Sequence, residues 1–366
     1  MKNSKLIQLF ICLWFTSQIA LSQTLFVANN NPGALTGVNT FLGSTALQDA
    51  FTASAAGDII YLVPSSVSYG NLSITREITL FGVGIRPDKD LGAKSLIGQI
   101  NVDADNVRLS GLVSQSGGSS IEVRVGWNSS GGNIDGLTIE NCRFRRVLME
   151  GTPDATASNV LIRNNVITGT GSLASHVLLN TTSNVVITNN IFIEGGSAAG
   201  MIRATNATIT YNVFSDTQNE IPFDAVVNCI IDHNIFYGVR VDIPITATGN
   251  SWTYNLSYGN TLDSFNVFNT TTNGNTGTGN IESVGGSNNP LFLNFPPTNI
   301  WDDSYDLTLQ GGSPALNVNG TDIGSSGGAT PFDFEGNLLP LIQSVTVPAV
   351  IPVGTNLPVT IKAKGN

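Results

Sequence analysis

Charged side chains are scarce in this chain of 366 residues. Asp, Glu, Lys and Arg together make up 11% of it, whereas an ordinary soluble domain has about 25%. Only 16 residues are Lys or Arg, and the formal net charge at pH 7 is -10. Proteins that bind nucleic acid need clustered basic residues on their surface, so this composition excludes that class of function.

Histidine and cysteine are also rare, with two and three residues in the chain. No spacing of these residues resembles a zinc site, and no nucleophile elbow or metalloprotease signature is present. The residues therefore predict no metal site. The polarity comes instead from uncharged residues, including 39 Gly and 40 Asn, while the hydrophobic content of 41% is that of a folded chain.

The first 22 residues have the pattern of a secretory signal peptide. Lys2 and Lys5 precede an apolar stretch, and Ala20 and Ser22 place small residues before a cleavage site at Gln23. Cleavage would lower the net charge to -12, because it removes two lysines and no acidic residue. We expect a secreted or cell-surface protein with no membrane insertion after removal of the signal.

A repeat organises the rest of the chain. Asn165, Asn190, Asn212, Asn234 and Asn255 recur at intervals of 25, 22, 22 and 21 residues, each followed by an apolar pair or by Leu-Ser. Each unit holds short runs of alternating apolar and polar residues, which is typical of strands with one buried face. One such unit cannot close a core alone, so successive turns must stack. We predict that the repeated Asn occupies a left-handed corner and that its amide bonds to the Asn above and below.

With this repeat, residues 40 to 335 resemble the right-handed parallel β-helix family that includes the pectate lyases. The stretch from Ala46 to Pro64 is similar to the family's entry segment, with Leu47, Ala50 and Phe51 on one face of a capping helix. The resemblance implies an all-β right-handed parallel β-helix of roughly ten turns. We assign residues 1–22 to the signal peptide, 23–340 to the β-helix with its capping segments, and 341–366 to a C-terminal β tail.

Two predictions concern single residues of the stack. Cys142 and Cys229 lie four turns apart, about 19 Å at one strand spacing per turn, and a disulfide needs Cα atoms within about 7 Å. Both thiols should therefore be free and packed. Replacing Asn212 by Leu should cost about 1–3 kcal/mol, the price of an unsatisfied neighbour.

The candidate functional residues lie on the sheet that precedes each Asn-bearing strand. In β-helices that act on polysaccharide, the resemblance implies that substrate lies along one parallel sheet. A carboxylate or His there would transfer protons and an Arg would bind a uronate carboxylate. The candidate catalytic residues are Glu150, His176, Arg203 and Asp224. The candidate substrate-binding residues are Glu122, Arg124, Trp127 and Asp242.

A structural interpretation of the same row remains open, in which opposite charges on neighbouring turns pair on a solvated face. The Arg143, Arg145 and Arg146 cluster and His233 are interpreted as an edge and a corner. Asp302 and Asp303 lack a partner motif, and neither the calcium site of pectate lyases nor the Gly-His-Gly motif of polygalacturonases is present. Calcium is therefore implied only by the family resemblance, and we predict no other cofactor.

Three functions stay open at this point. The first is a secreted β-helix protein that binds, and in one version processes, extracellular polysaccharide. The second is a polysaccharide lyase or glycoside hydrolase with its site on one sheet, and the third is a non-catalytic structural surface protein or adhesin. A binding protein would use Arg124 and Arg203 on an acidic glycan, or exposed aromatic residues such as Trp127, Trp252 and Tyr254 on a neutral one. The residues do not decide among these, nor do they give the oligomeric state.

Overall fold

The repeat folds into short strands that stack turn upon turn. The computed structural model describes residues 23–85, 93–114, 122–126, 133–149, 156–169, 177–178, 182–194, 200–217, 222–239, 247–259, 268, 273–282, 286–298, 300–333, 341–346 and 360–364. The predicted signal peptide lies outside these residues and stays a prediction. None of the described helices is long and apolar enough to cross a membrane.

One helix precedes the solenoid, α1 (Ala46–Ala53). The strands are β1 Leu25–Asn29, β2 Thr40–Leu42, β3 Ile59–Leu62, β4 Leu72–Ile74, β5 Thr79–Phe81, β6 Leu96–Ile97, β7 Ile100–Val102, β8 Arg108–Ser110, β9 Val113–Ser114, β10 Glu122–Val125, β11 Asn133–Asp135, β12 Thr138–Glu140, β13 Arg143–Phe144, β14 Arg146–Leu148, β15 Thr156–Arg163, β16 Val166–Gly169, β17 Val177–Leu178, β18 Thr182–Thr188, β19 Ile191–Glu194, β20 Ile202–Thr205, β21 Ala207–Thr210, β22 Val213–Ser215, β23 Phe223–Val227, β24 Ile230–Asp232, β25 Ile235–Tyr237, β26 Ser251–Thr253, β27 Leu256–Tyr258, β28 Thr276–Thr278, β29 Phe292–Asn294, β30 Asp306–Leu309, β31 Leu341–Thr346 and β32 Thr360–Lys364.

Three parallel sheets form the walls of the solenoid. Sheet 1 has the order β2-β1-β3-β5-β8-β12-β15-β18-β21-β24-β26-β28, with β11 also on β15. Sheet 2 has the order β4-β7-β10-β14-β17-β20-β23. Sheet 3 has the order β6-β9-β13-β16-β19-β22-β25-β27. The predicted all-β parallel β-helix is therefore confirmed.

The predicted number of turns is wrong. Within the described residues sheet 2 has seven strands, and the solenoid has about seven turns rather than ten. The Asn repeat follows sheet 1, which is longer than the other two because strands such as β1, β2 and β28 extend its edges. Counting repeats on sheet 1 therefore overestimates the number of complete turns.

The core consists of inward side chains that stack on their counterparts in the next turn. On sheet 1, Ile139, Ile162, Ile187, Ile209 and Ile231 occupy one register position on successive strands, and each is fully buried. On sheet 3, Phe192, Phe214 and Phe236 stack with ring centroids 4.9 and 5.1 Å apart. Period-two alternation thus places one residue of each strand in the same column of the core.

The capping helix is confirmed. Leu47, Ala50 and Phe51 are buried in the main core, and α1 contacts β1, β2 and β3 at the first turns. Arg76 fixes the helix end, since its guanidinium lies 3.9 Å from the Phe51 ring centroid and donates a hydrogen bond to the Phe51 carbonyl. The edge of sheet 1 and the apolar interior are therefore covered at this end.

The segment 286–333 packs against the side of the solenoid, on the outer side of sheet 3. Outward residues of sheet 3 form an aligned apolar column of Val166, Ile191, Val213, Ile235 and Leu256. They share a second core with apolar residues of the segment: Phe292, Phe295, Leu307, Ala315, Ile323 and Phe332. Burial of this column is favourable, so the outer side of sheet 3 is an internal interface.

Each corner between sheets 1 and 3 has a left-handed residue followed by an Asn of the ladder. The sequence analysis assigned both properties to one Asn. The Asn residues that were predicted to be left-handed are not the ones with positive φ. The left-handed residues directly precede them and include Asn164, Asn189, Tyr211, His233 and Tyr254, with φ between 52° and 57°. The left-handed residue turns the chain from sheet 1 to sheet 3. The Asn that follows it directs its side chain into the Asn ladder.

The predicted Asn ladder is confirmed at that second position. Asn212 Oδ1 accepts from the backbone N–H and the amide of Asn190, at 2.9 and 3.0 Å. The Asn212 amide donates to Asn234 Oδ1 at 3.0 Å and to the Ile187 carbonyl at 2.9 Å. The same pattern joins Asn165, Asn190, Asn234, Asn255 and Asn280. The side-chain amides of this ladder are thus satisfied by their copies in adjacent turns and by backbone carbonyls.

Both cysteines are free and buried, as predicted. Each begins an Asn ladder: the Cys142 N–H donates to Asn165 Oδ1 at 2.9 Å, and the Cys229 N–H donates to Asn250 Oδ1 at 2.8 Å. Each Sγ also accepts a backbone N–H from the preceding turn, from Leu112 and Ala207. Cysteine therefore occupies an Asn position at the first rung of two separate ladders.

Candidate functional site

Sheet 2 holds the predicted row of polar residues, and the register aligns part of it. Arg124, Leu148, Leu178 and Arg203 follow one another on β10, β14, β17 and β20. Asn101 on β7 and Ser73 on β4 continue the row beyond Arg124. The alternation places Val123 and Val125 in the core, so Arg124 lies on the outer side of this sheet.

Glu122 is the carboxylate that anchors this part of the row. Its side chain is 2% exposed and forms ion pairs with Arg124, at 3.0 Å, and with Arg146 on the neighbouring strand. A buried carboxylate is stable only when it is paired and hydrogen-bonded. Glu122 therefore positions Arg124 and Arg146. The interpretation of Arg146 as part of a solvated edge is wrong, because its side chain is 11% exposed.

The other predicted residues of this row are described in part or not at all. Asp224 lies on β23, where the register with β20 shifts between Ile202 and Arg203, so that Arg203 pairs with Ala225 and Asp224 has no partner in the ladder. Glu150, His176, Trp127 and Asp242 lie outside the described residues, and their roles stay predictions.

A second charged cluster, on sheet 1, was not predicted. Arg108, Glu140 and Arg163 lie on the adjacent strands β8, β12 and β15. Glu140 Oε1 accepts from Arg108 Nε at 2.8 Å, and Oε2 accepts from Arg163 Nε and Nη2 at 2.9 and 2.6 Å. Burial alone would raise the pKa of Glu140, but the hydrogen bonds from the two arginines outweigh it and lower the pKa. The carboxylate is thus ionised at neutral pH.

Sequence reasoning overlooked this cluster because charged residues were sought on the sheet that precedes each Asn-bearing strand, and because Arg108 lies opposite Thr138 and not Glu140. The signal that could have found it is the charge itself, in a chain with so few charged residues. Arg163 directly follows the Ile162 of the repeated core column, and Glu140 follows Ile139 in the same way. The two residues therefore had to be neighbours once the turns were aligned.

His233 is a corner residue, as predicted. Its Nδ1 lies 2.7 Å from Asp232 Oδ2 and its Nε2 lies 3.3 Å from the Val318 carbonyl. The ring packs between Tyr211 and Tyr254, with centroids 5.1 Å away on each side. Both ring nitrogens are occupied, so this histidine joins the corner stack to the segment 286–333.

Two further interpretations need correction. Trp252, which was grouped with exposed aromatics that could bind a glycan, is fully buried in the core. The interpretation of Arg143 as part of a solvated edge is the second, since Asp303 forms ion pairs with Lys94 and with Arg143 Nη1, the latter at 3.1 Å. These pairs join the segment 286–333 to the early turns, so Arg143 is not a free basic edge.

Comparison with known proteins identifies the family. Residues 82–283 match the profile of a family described as periplasmic copper-binding protein (NosD), and this stretch is more than half of the chain. The chain belongs to the NosD family. The NosD match covers the turns of the solenoid from β6 onward and includes both charged clusters. No curated protein matches the chain.

The copper in the NosD description can be tested against the residues of this chain. Copper in proteins takes thiolate, thioether and imidazole ligands. Burial raises the pKa of the thiols of Cys142 and Cys229, and both nitrogens of His233 are occupied. Among the described residues no group of three or more His, Cys, Asp or Glu could hold a metal ion. The described donors therefore do not fit a copper centre, and His176 lies outside them.

The arrangement can bind but offers little for proton transfer. The buried carboxylates of both clusters are each held by two arginines. The pKa of Glu140 is lowered, whereas a general acid needs a raised pKa. The two clusters place guanidinium groups on the outer sides of sheets 1 and 2. Guanidinium groups that are fixed in this way can pair with carboxylates through two parallel hydrogen bonds.

Proposed function

We propose that this chain is an exported NosD-family β-helix protein that binds polysaccharide along sheet 2 and does not cleave it. The observation that carries the proposal is the row of Ser73, Asn101, Arg124 and Arg203 on one outer side of one parallel sheet. Parallel strands lie about 4.8 Å apart. A linear polymer on this row would meet hydrogen-bonding groups on the successive strands β4, β7 and β10, and again at Arg203 on β20, beyond Leu148 and Leu178.

The hydrogen bonds within the row support a binding role. Asn101 donates from its amide to Ser73 Oγ at 3.2 Å and accepts from the Gln99 amide at 2.8 Å. These bonds hold the side chains in one conformation before a ligand arrives. Such preorganisation lowers the conformational entropy lost on binding.

The ion pairs of Glu122 support binding without cleavage. A glycosidase uses two carboxyl groups, one of which is protonated at the working pH. Both oxygens of Glu122 are instead engaged in ion pairs with two arginines. Glu150, His176 and Asp224 keep their predicted roles as the residues of an alternative lyase or hydrolase, and the same assay tests that alternative.

The test uses the chain from Gln23 and a panel of acidic and neutral polysaccharides. We expect retention on at least one acidic polysaccharide in affinity electrophoresis, weaker retention at high salt, and no release of unsaturated uronides or reducing ends. Arg124→Gln and Arg203→Gln should weaken retention, whereas Arg124→Lys should keep part of it. Thr276→Ala, on the exposed strand β28 of sheet 1, is the matched control. Equal retention by all variants would refute the sheet 2 site, and product release would establish an enzyme.

Export has its own test. Removal of the predicted signal peptide should leave Gln23 as the first residue of the mature protein. Mass spectrometry of the protein from the periplasm or the culture medium checks this directly. A mature chain that retains residues 1–22 would contradict the proposed export.

A further inference from the structure

In the cluster of Arg108, Glu140 and Arg163 on sheet 1, the ion pairs leave both guanidinium groups partly exposed to solvent. The carboxylate is the buried member, with 2% of the Glu140 side chain exposed, whereas the Arg108 and Arg163 side chains are 51% and 31% exposed. The two guanidinium groups therefore lie between the carboxylate and solvent. Two arginines and one glutamate also leave a charge of +1 on the outer side of an acidic protein.

The hydrogen bonds leave donors free to bind a ligand. A guanidinium has five N–H groups. Arg108 and Arg163 each direct Nε and Nη2 to Glu140, and within the described residues their remaining N–H groups have no protein partner. Both side chains are thus held by one end, with the Nη1 edge of each planar fork available to an oxyanion.

The flanking residues on the outer side of sheet 1 suit a sugar polymer. On the preceding strands, β3 and β5, Tyr61 and Phe81 place half-buried rings 6.5 Å apart. On the following strands, β18 and β21, Thr210 Oγ1 donates to Thr188 Oγ1 at 3.2 Å. Rings can contact the apolar side of a sugar, guanidinium groups a carboxylate, and hydroxyl groups the sugar hydroxyls.

We propose that Arg108 and Arg163 bind a carboxylate of an acidic polysaccharide that lies along the outer side of sheet 1, from β3 to β21. Glu140 is a positioning residue, which fixes the two guanidinium groups and contacts no ligand. This inference rests on the proposed binding of polysaccharide but assigns a carboxylated ligand to a wall other than sheet 2. The two sites can be removed separately.

The experiment uses an oligogalacturonate and its methyl ester, which keeps the sugar backbone and loses the charge. Calorimetric titration is done with the chain from Gln23 carrying Arg124→Gln, so that sheet 2 contributes little. In that background Arg108→Gln should weaken oligogalacturonate binding about tenfold or more, the equivalent of one charged hydrogen-bonded contact. Binding of the methyl ester should stay within about twofold of the Arg124→Gln parent.

Glu140→Gln separates positioning from net charge. It raises the charge of the cluster from +1 to +2, so attraction by charge alone predicts tighter binding. We expect weaker binding, because the arginines lose the carboxylate that fixes them. Arg108→Lys is the second variant, since it keeps the charge at a half-exposed position and should retain only part of the affinity. Circular dichroism and urea unfolding confirm that each variant is folded.

Clear outcomes overturn the inference. Unchanged oligogalacturonate binding in Arg108→Gln would remove the site, as would the same loss for the methyl ester. Inorganic phosphate that competes as well as the oligogalacturonate would show a simple anion site instead of a glycan site. If Arg124→Gln has no effect by itself while Arg108→Gln does, the sheet 2 proposal fails and the sheet 1 site stands.

Discussion

The early turns and the later turns of this solenoid are stabilised in different ways. From β18 to β27, like stacks on like, with Asn on Asn at the corner and Phe on Phe in the core. From β8 to β15, unlike residues pair instead, with arginines on the strands on both sides of Glu140 and on the strand that follows Glu122. The difference teaches that a repeat is visible in sequence only where identical residues satisfy each other across turns.

The two regions also differ in what they leave for a ligand. An amide ladder satisfies its own donors and acceptors within the stack, so the ladder itself leaves no group for a ligand. An Arg-Glu-Arg cluster leaves unbalanced charge and unused N–H groups at the surface. The charged clusters around Glu122 and Glu140 therefore lie in the less regular turns, where the repeat is weakest.

The largest effect should come from breaking the later region. Asn212→Leu leaves the Asn190 N–H and amide, the Ile187 carbonyl and Asn234 without their partner. Because several buried groups lose their hydrogen bonds, we expect a loss of about 3 kcal/mol in the free energy of unfolding. Urea denaturation measures it. Thr208→Leu, on the outer side of the adjacent strand β21, is the control and should cost little; equal losses would contradict the ladder.

A smaller loss is expected on breaking the early region. Glu140→Gln removes the charge that both arginines contact, and we expect a loss of about 2 kcal/mol in the free energy of unfolding. The arginines are partly exposed and regain water, which limits the cost. Denaturation at low and high salt measures the effect, with the exposed Glu77→Gln as control. A loss as large as that of Asn212→Leu would mean that the two regions do not differ as described.

Replacing Cys142 by the Asn that follows it in the ladder tests whether the early turns can accept the ladder of the later turns. Cys142→Asn should stabilise the protein by about 0.5–1.5 kcal/mol. The new amide meets the Leu112 N–H and the Leu109 carbonyl, the groups that Cys142 Sγ already contacts at 3.3 and 3.6 Å. Thermal unfolding checks the sign, and Cys142→Ala should be destabilising instead. Destabilisation by Asn would show that this early turn cannot accept the ladder geometry.

The smallest effect concerns pH and the corner stack of the later region. Burial opposes the charged form of His233, but the hydrogen bond and charge of Asp232 outweigh this and raise its pKa. Protonated His233 therefore stabilises the fold below about pH 6.5, the unfolded value. This contribution is lost as the pH rises through the higher folded pKa. Between about pH 6 and 8, the melting temperature should fall more for the wild type than for His233→Gln. Parallel curves would show that the pair does not contribute.

Much of the fold could be predicted because the repeat imposes it. The register of Asn165 to Asn255 places the strands of sheet 1, and the spacing of Cys142 and Cys229 excludes a disulfide. The number of turns could not be obtained this way, since sheets 2 and 3 carry no equally regular residue. The left-handed corner was assigned to the wrong Asn because Asn164 and Asn165, or Asn189 and Asn190, are identical neighbours with different backbone conformations.

For the candidate site, the sequence predicted which sheet carries the polar residues but not which of their side chains pair. The alternation of apolar and polar residues placed Arg124 and Arg203 on the outer side of one sheet, and the register agrees. The pairing of Glu122 with Arg146 was not predictable, because it depends on which residues two dissimilar turns bring side by side. The same holds for the pairing of Arg108 with Glu140, whereas Glu140 and Arg163 share one register position that the repeat could have given.

The sequence by itself determined the stacking of turns, the Asn ladder, the capping helix and the free state of both cysteines. Each depends on local periodicity or on a residue that repeats at a constant interval, because such residues contact their counterparts in adjacent turns. Only the tertiary structure decided that the segment 286–333 covers sheet 3, that Asp303 joins Lys94 and Arg143, and where the arginines converge. Those contacts join positions up to 209 residues apart with no repeat between them, so their partners are chosen by the folded shape alone.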